Sequence, residues 1–312
     1  MNKLKVVGLT ALAGTFAIGS AQAIEMTASG SAGFTYSSAD SDKTQNDRFS
    51  FGDSITLSGG GDLDNGWNVT ASYELDDGNS PFDDQTIAID TGNGTFYIQT
   101  AADKGGHVRL VPNAYGSASY SLSNGVGTET GKHLADGVTG TTNLAYANGD
   151  IAGIDVVVAA SPGAVGGTDT SIKLKKADFV DGLTVGLSWG DINPAQIDGG
   201  STEITLSAKY AVGGVTIGVT DTSIDQDAAS SSDVDAFHVG ASFAVNDDVT
   251  VSVDRSTADN AKQAVDEEAT SYQVSYSMGS MSIKAHLTKA DNVGYSSTNT
   301  DENKAVAVSF SF

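Results

Sequence analysis

Residues 304–312 read Lys-Ala-Val-Ala-Val-Ser-Phe-Ser-Phe and alternate without a break. Val306, Val308, Phe310 and Phe312 fall on one face, and Ala305, Ala307, Ser309 and Ser311 on the other. Successive side chains of a strand point to opposite faces, so this is a strand with one apolar face and one of small, mostly polar groups. A soluble sandwich would use such a strand in its core. Here the same pattern recurs along most of the chain, and the polar face repeatedly carries Ser, Thr, Lys and Glu. Many such strands call for an all-β, transmembrane antiparallel barrel, apolar outside and wet inside.

Working back from the C-terminus, the same alternation appears at Met281, Ile283, Ala285 and Leu287; at Tyr272, Val274 and Tyr276; and at Val249, Val251 and Val253. Earlier strands carry Phe237 to Phe243, Val215 to Val219, Ile204 to Tyr210 and Leu183 to Trp189. Near the start, Phe34 and Tyr36 precede a polar connection expected over 37–48. Phe49 to Leu57 then leads through the tight Asp64-Asn65-Gly66 turn to Trp67, Val69, Ala71, Tyr73 and Leu75. Short connections are expected at 91–94, 147–150, 178–182, 212–214, 246–248 and 278–280. Longer ones are expected at 76–84, 161–169, 191–200, 223–234, 256–268 and 290–302. This alternation of short and long predicts about sixteen strands, with both chain ends on the short-turn side. Tyr, Trp and Phe near strand ends fit rings at the two bilayer interfaces.

Composition narrows the compartment. Lys3, Lys5, the apolar run 6–18 and Ala21-Gln22-Ala23 read as an export signal over 1–23, leaving a barrel over 24–312. No stretch approaches the roughly 20 apolar residues of a membrane helix. There is no cysteine, so disulfides, thiol chemistry and cysteine-ligated metals are excluded. A formal charge of −23 argues against nucleic acid as a partner. With 37 Gly and 4 Pro, the chain has the composition of turns joining paired strands.

One connection breaks the scheme in size. Residues 101–140 follow the Phe96 strand and contain Val108, Leu110, Val111, Tyr115, Tyr120 and Leu122, too apolar for an exposed loop of that length. They are expected to fold into the lumen.

These residues together resemble the general diffusion porins of Gram-negative outer membranes, with the nearest likeness to those of alphaproteobacteria. The resemblance covers the whole exported chain but is one of layout; only the C-terminal strand is a motif. It implies that Phe310 and Phe312 are read by the barrel-assembly machinery, and that the protein is a homotrimer in outer-membrane lipid. It also implies an inward loop that sets carboxylates against wall bases at a constriction. Carried onto this chain, the acidic candidates are Asp103, Glu129 and Asp136. Lys104, Arg109 and Lys132 balance them in the same loop, and no dense arginine cluster stands on the wall, which departs from the family pattern. By strand parity the lumen wall carries Lys173, Lys175, Lys209 and Lys284 as bases, with Glu74 and Glu203 as acids.

Other motifs point nowhere. Gly186-Leu187-Ser188-Trp189-Gly190 matches the nucleophile elbow of hydrolases, but no helix follows to expose the serine. His107, His133, His238 and His286 lack metal-ligand spacing. Asp225-Gln226-Asp227 and Asp233-Val234-Asp235 are dense enough to attract a divalent cation loosely, but lack the glycine and closing glutamate of a calcium loop. No cofactor, metal site or catalysis is expected. The leading reading is a water-filled channel for small hydrophilic solutes and ions, weakly cation-selective. The alternative is a secreted acidic β-solenoid adhesin or surface-layer protein, which needs a fixed repeat period that the varying connections do not supply.

Overall fold

The alternation becomes a ladder of hydrogen-bonded strands. The computed structural model describes residues 25–41, 45–76, 84–100, 104–116, 143–164, 167–192, 200–227 and 232–312. Among them the strands are β1 (Glu25–Ser41), β2 (Gln45–Asp62), β3 (Asn68–Asp76), β4 (Gln85–Asp90), β5 (Thr95–Gln99), β6 (Asn143–Ile151), β7 (Ile154–Ala164) and β8 (Gly167–Val180). They continue with β9 (Leu183–Ile192), β10 (Ser201–Val212), β11 (Val215–Gln226), β12 (Val234–Ala244), β13 (Val249–Asn260), β14 (Glu267–Met278), β15 (Met281–Asp291) and β16 (Thr300–Ser311). Each pairs antiparallel with its chain neighbours, and β1 pairs with β16, so the sheet closes into a barrel without a free edge.

The last residue completes that closure. Phe312 N donates to Gly30 O at 2.9 Å, and Gly30 N donates to Phe312 O at 2.8 Å. A Cβ on Gly30 would stand 2.7 Å from Cε2 of Phe312 and 2.8 Å from Ser54 O. Only glycine therefore lets the terminal ring pack against β1.

Exposure is inverted relative to a soluble protein. Phe51 is 77% exposed and Leu206 58%, whereas Thr205 and Ser271, on the opposite face, are 0% exposed. A continuous apolar outer surface is tolerable only in lipid. Trp189, Phe237 and Tyr272 end the apolar band toward the long connections; Tyr210, Phe243 and Tyr276 end it toward the short turns. Above the upper rings stand the exposed pairs Arg255–Glu268 at 2.6 Å and Lys289–Glu302 at 3.1 Å.

Several connections differ from expectation. The run 37–48 is mostly strand, with Ser37 opposite Arg48 and β1 continuing to Ser41. Strand also extends into 161–169, 223–234, 256–268 and 290–302. Beyond the lipid belt the outward face meets water, so polar residues replace apolar ones there and the alternation stops while the backbone ladder continues; the inward face packs small residues such as Val234, Ala236 and Ala258. The turn expected at 147–150 lies instead at Ala152 and Gly153, with φ of 57° and 75°. A register shift between Asn148 and Ile151 absorbs the intervening residues. A similar shift between Lys176 and Val180 tightens the turn expected at 178–182 to Asp181 and Gly182. The expected signal 1–23 lies outside the described residues.

Candidate functional site

The face opposite the lipid belt is lined by Ser, Thr and Gly, and segment 104–116 lies on it. The segment enters after β5 and crosses the inner wall from β8 to β15. Ser171 Oγ on β8 donates to Gly105 O at 2.8 Å, and Val108 N donates to Ser188 Oγ on β9 at 2.9 Å. On β10, Ser207 Oγ donates to Val108 O at 2.6 Å, and Thr205 Oγ1 meets His107 Nδ1 at 2.9 Å. Leu110 N reaches Thr220 Oγ1 on β11 at 3.4 Å; Ala114 N donates to Ser252 Oγ on β13 at 2.9 Å; Tyr115 N donates to Gln273 Oε1 on β14 at 3.1 Å. The Tyr115 ring then meets His286 of β15 edge-on, at 4.4 Å between centroids. An inserted segment cannot join the barrel's own ladder, so wall hydroxyls supply the partners that its backbone requires.

Glycines make room for it. A Cβ on Gly186 would come within 2.4 Å of Val108 Cγ1, on Gly218 within 2.3 Å of Leu110 O, and on Gly240 within 2.6 Å of Val111 Cγ1. The hydroxyls are held in turn by one another: Ser207 to Thr220 at 3.0 Å, Thr205 to Thr222 at 3.2 Å, Ser271 to Thr288 at 2.8 Å. Gln273 is braced by donating Nε2 to Asp254, whose other oxygen meets His238 Nε2 at 3.2 Å. Ser188, the serine of the hydrolase-like motif, sits mid-strand in β9 with its oxygen occupied by Val108 N.

The predicted charged residues fall into separate groups. Lys104, His107, Arg109, Lys173 and Lys175 line one cavity of about 500 Å³ between the segment and β7–β8. Lys175 Nζ pairs with Asp155 Oδ2 there at 3.1 Å, and Lys104 Nζ lies 4.9 Å from the centroid of Tyr97. Lys209 lines a second cavity, of about 350 Å³, which Arg109 also borders. Glu203 is 3% exposed, with Oε2 3.8 Å from His107 Nε2. Burial, with Arg109 and Lys173 nearby, nevertheless pushes His107 down from 6.5 to about 4, so it is neutral at ordinary pH. Lys284 stands opposite Ala307, one inward position from His286, and Glu74 stands opposite Thr56 on the far wall. Asp103, Glu129, Lys132 and Asp136, like His133, lie outside the described residues. Among the described residues no three His, Asp or Glu side chains cluster to hold a metal. Of the seat residues, Ser188 stands out in the sequence only through the hydrolase-like motif, and Ser171, Ser207, Ser252 and Gln273 do not, although hydroxyls and glycines recurring on inward positions of neighbouring strands are a visible signal.

The chain resembles solved porin structures over nearly its full length. The anion-selective porin from Comamonas acidovorans matches at 14% identity and a TM-score of 0.65, covering 93% of this chain and 100% of that one. A porin refined at 1.8 Å resolution matches at 16% identity and 0.67, covering 92% and 100%. OmpF of Salmonella typhi, in complex with daunomycin, matches at 11% identity and 0.65, covering 93% and 98%. Identities this low speak for the fold alone. No curated protein is matched by sequence. The sequence profile of the Gram-negative porins, however, matches residues 8–312. The chain therefore belongs to the Gram-negative porin family, non-enzymatic outer-membrane barrels through which solutes diffuse passively.

Proposed function

We propose that this porin passes small hydrophilic solutes with a modest preference for cations, set by carboxylates at its outer mouth. The observation that carries the reading is the contrast between mouth and interior. Asp225, Asp227, Asp233, Asp235 and Asp266 are exposed beside the long connections of β11–β14, whereas the described inner segment carries only the bases Lys104 and Arg109. Two neighbouring carboxylates contribute less at the mouth: Glu267 is 0% exposed and accepts from Gly294 N, and Glu268 is paired with Arg255. A ring of exposed carboxylates concentrates cations at the mouth, but salt screens it, with a Debye length of about 10 Å at 0.1 M and 3 Å at 1 M.

Reversal potentials under a fixed KCl ratio test this at low and high absolute concentration. A cation preference that fades with salt is expected. Anion preference, or cation preference independent of salt, would place control at close-range charges such as Lys173, Lys175 and Lys209. In the same reading the protein is a homotrimer of the alphaproteobacterial type, residues 101–140 form its constriction, and Phe312 is its assembly signal. The docking of 104–116 on the wall and the pairing of Phe312 with Gly30 support the last two points. Chemical cross-linking in the membrane, read by denaturing gel, tests the trimer; cross-linked species limited to monomers would refute it.

A further inference from the structure

The inner segment separates two zones of opposite charge along the pore axis. The short turns, the start of β1 and the end of β16 share one end of the barrel, which in outer-membrane barrels faces the periplasm. On β8 the inward positions run from the outer end as Asp169, Ser171, Lys173 and Lys175, and Ser171 is the one that holds the segment. On β10 they run Glu203, Thr205, Ser207 and Lys209, with Thr205 and Ser207 holding it. Asp254 lies one inward position outside Ser252 on β13, and Glu267 lies outside Gln273 on β14. Lys284 lies one inward position to the periplasmic side of His286 on β15, and Asp301 occupies the outer end of β16. Across β8–β16, every inward carboxylate in the regular ladder is therefore on the outer side of the segment, set into the wall at 0–7% exposure so that it acts on the lumen through its field, and every inward lysine is on the periplasmic side.

The other half of the wall is mixed. Of its periplasmic carboxylates, Asp155 is ion-paired with Lys175 at 3.1 Å, whereas Asp62 and Asp90 accept hydrogen bonds from neutral donors, Asn68 at 3.0 Å and Gly92 N at 2.8 Å. Arg48 stands toward the outer end of β2, and Glu74 toward that of β3.

We propose that this axial segregation makes the porin conduct ions more readily when its outer side is positive. At that polarity cations enter through the carboxylate zone and anions through the lysine zone. Each ion arrives through the zone that enriches it, and both accumulate where the zones meet, at the inner segment. Reversing the voltage draws each through the zone that depletes it. This goes beyond the mouth field above and needs only a water-filled lumen.

The test is single-channel recording in symmetric KCl. Because the chain has no cysteine, Ser297→Cys in the exposed connection before β16, labelled by a bulky impermeant thiol reagent in one chamber, reports orientation. At 0.1 M the current with the outer side positive is expected to exceed the reverse by about two-fold, since surface potentials of a few kT change local ion concentration severalfold. The ratio is expected to approach one at 1 M. Replacing Lys173, Lys175, Lys209 and Lys284 by glutamine is expected to remove most of it, and Lys209→Gln alone, a single mild change, part of it. Symmetric current at 0.1 M, the opposite polarity, or a ratio unchanged in folded Lys209→Gln and four-lysine variants would overturn the proposal. Rectification that depends on the lysines but comes without cation preference would instead strike only the mouth reading.

Discussion

Replacing Gly218 by alanine asks whether close fit to the wall holds segment 104–116. The new Cβ would stand 2.3 Å from Leu110 O and 2.8 Å from Pro112 Cδ, against ordinary contact from 3.4 Å. The wall cannot recede, because Gly218 is laddered to Lys209 on β10 and to Gly240 on β12. The segment must therefore lift by about 1 Å, stretching the Val108 N–Ser188 and Ser207–Val108 O hydrogen bonds, now 2.9 and 2.6 Å, beyond useful length. Two such bonds are worth about 1 kcal/mol each net. At about 1.4 kcal/mol per factor of ten, docking should weaken roughly 30-fold. Val108 is 7% exposed, and a Val108→Cys reporter reacts with a small thiol reagent only when the segment opens. Its labelling rate should then rise about 30-fold in the Gly218→Ala background, because the rate follows the open population. Gly52→Ala is the control, since a Cβ there meets nothing within 4 Å. Equal labelling in the two backgrounds would refute the close-fit argument.

Three further outcomes are expected. Deleting Phe312, or replacing Gly30 by valine so that the Phe312 ring is pushed off β1, should lower the yield of folded, heat-modifiable barrel; undiminished yield from both would remove the C-terminal closure from the account. Arginine in place of lipid-facing Val251 or Ile217 should destabilise by about 2–4 kcal/mol if the site lies at the bilayer midplane, measured by denaturant unfolding in lipid, and free tolerance of both would argue against a membrane face. His107 should make docking pH-dependent. Its value when docked, about 4, lies below the ordinary 6.5, so the released segment binds the extra proton between these values. Docking is full above pH 6.5 and is lost as pH falls toward 4, by up to about 3 kcal/mol. Labelling at Val108→Cys should rise over that window, after correction for the reagent's own pH dependence, and a His107→Gln protein that keeps the same rise would sink this reading.

The barrel was legible because lipid and water impose opposite demands on alternate residues. Val306, Val308 and Phe310 against Ala305, Ala307 and Ser309 state that directly, and the pattern repeats often enough to count strands. Where the outward face meets water instead of lipid, as at Thr257 and Asp259, the same physics leaves no periodic mark, and strand reads as connection. The seat of the inner segment was illegible for a different reason. Val108 meets Ser188 and Tyr115 meets Gln273 across 80 and 158 residues of chain. Periodicity shows that Ser188 and Gly186 face inward, but not that a loop covers them. Parity assigns Lys173, Lys175, Lys209, Lys284, Glu74 and Glu203 to one face of their strands, whereas their height relative to the segment follows only from register.

On this reading the lumen is an open aqueous channel narrowed by segment 104–116. Single-channel conductance in 1 M KCl tests it most directly, comparing the whole protein with one lacking 116–131. The account predicts large steps with a nearly linear current–voltage relation, and larger steps still in the shortened protein. Absence of steps from the folded protein, or equal conductance in a correctly folded deletion, would contradict it.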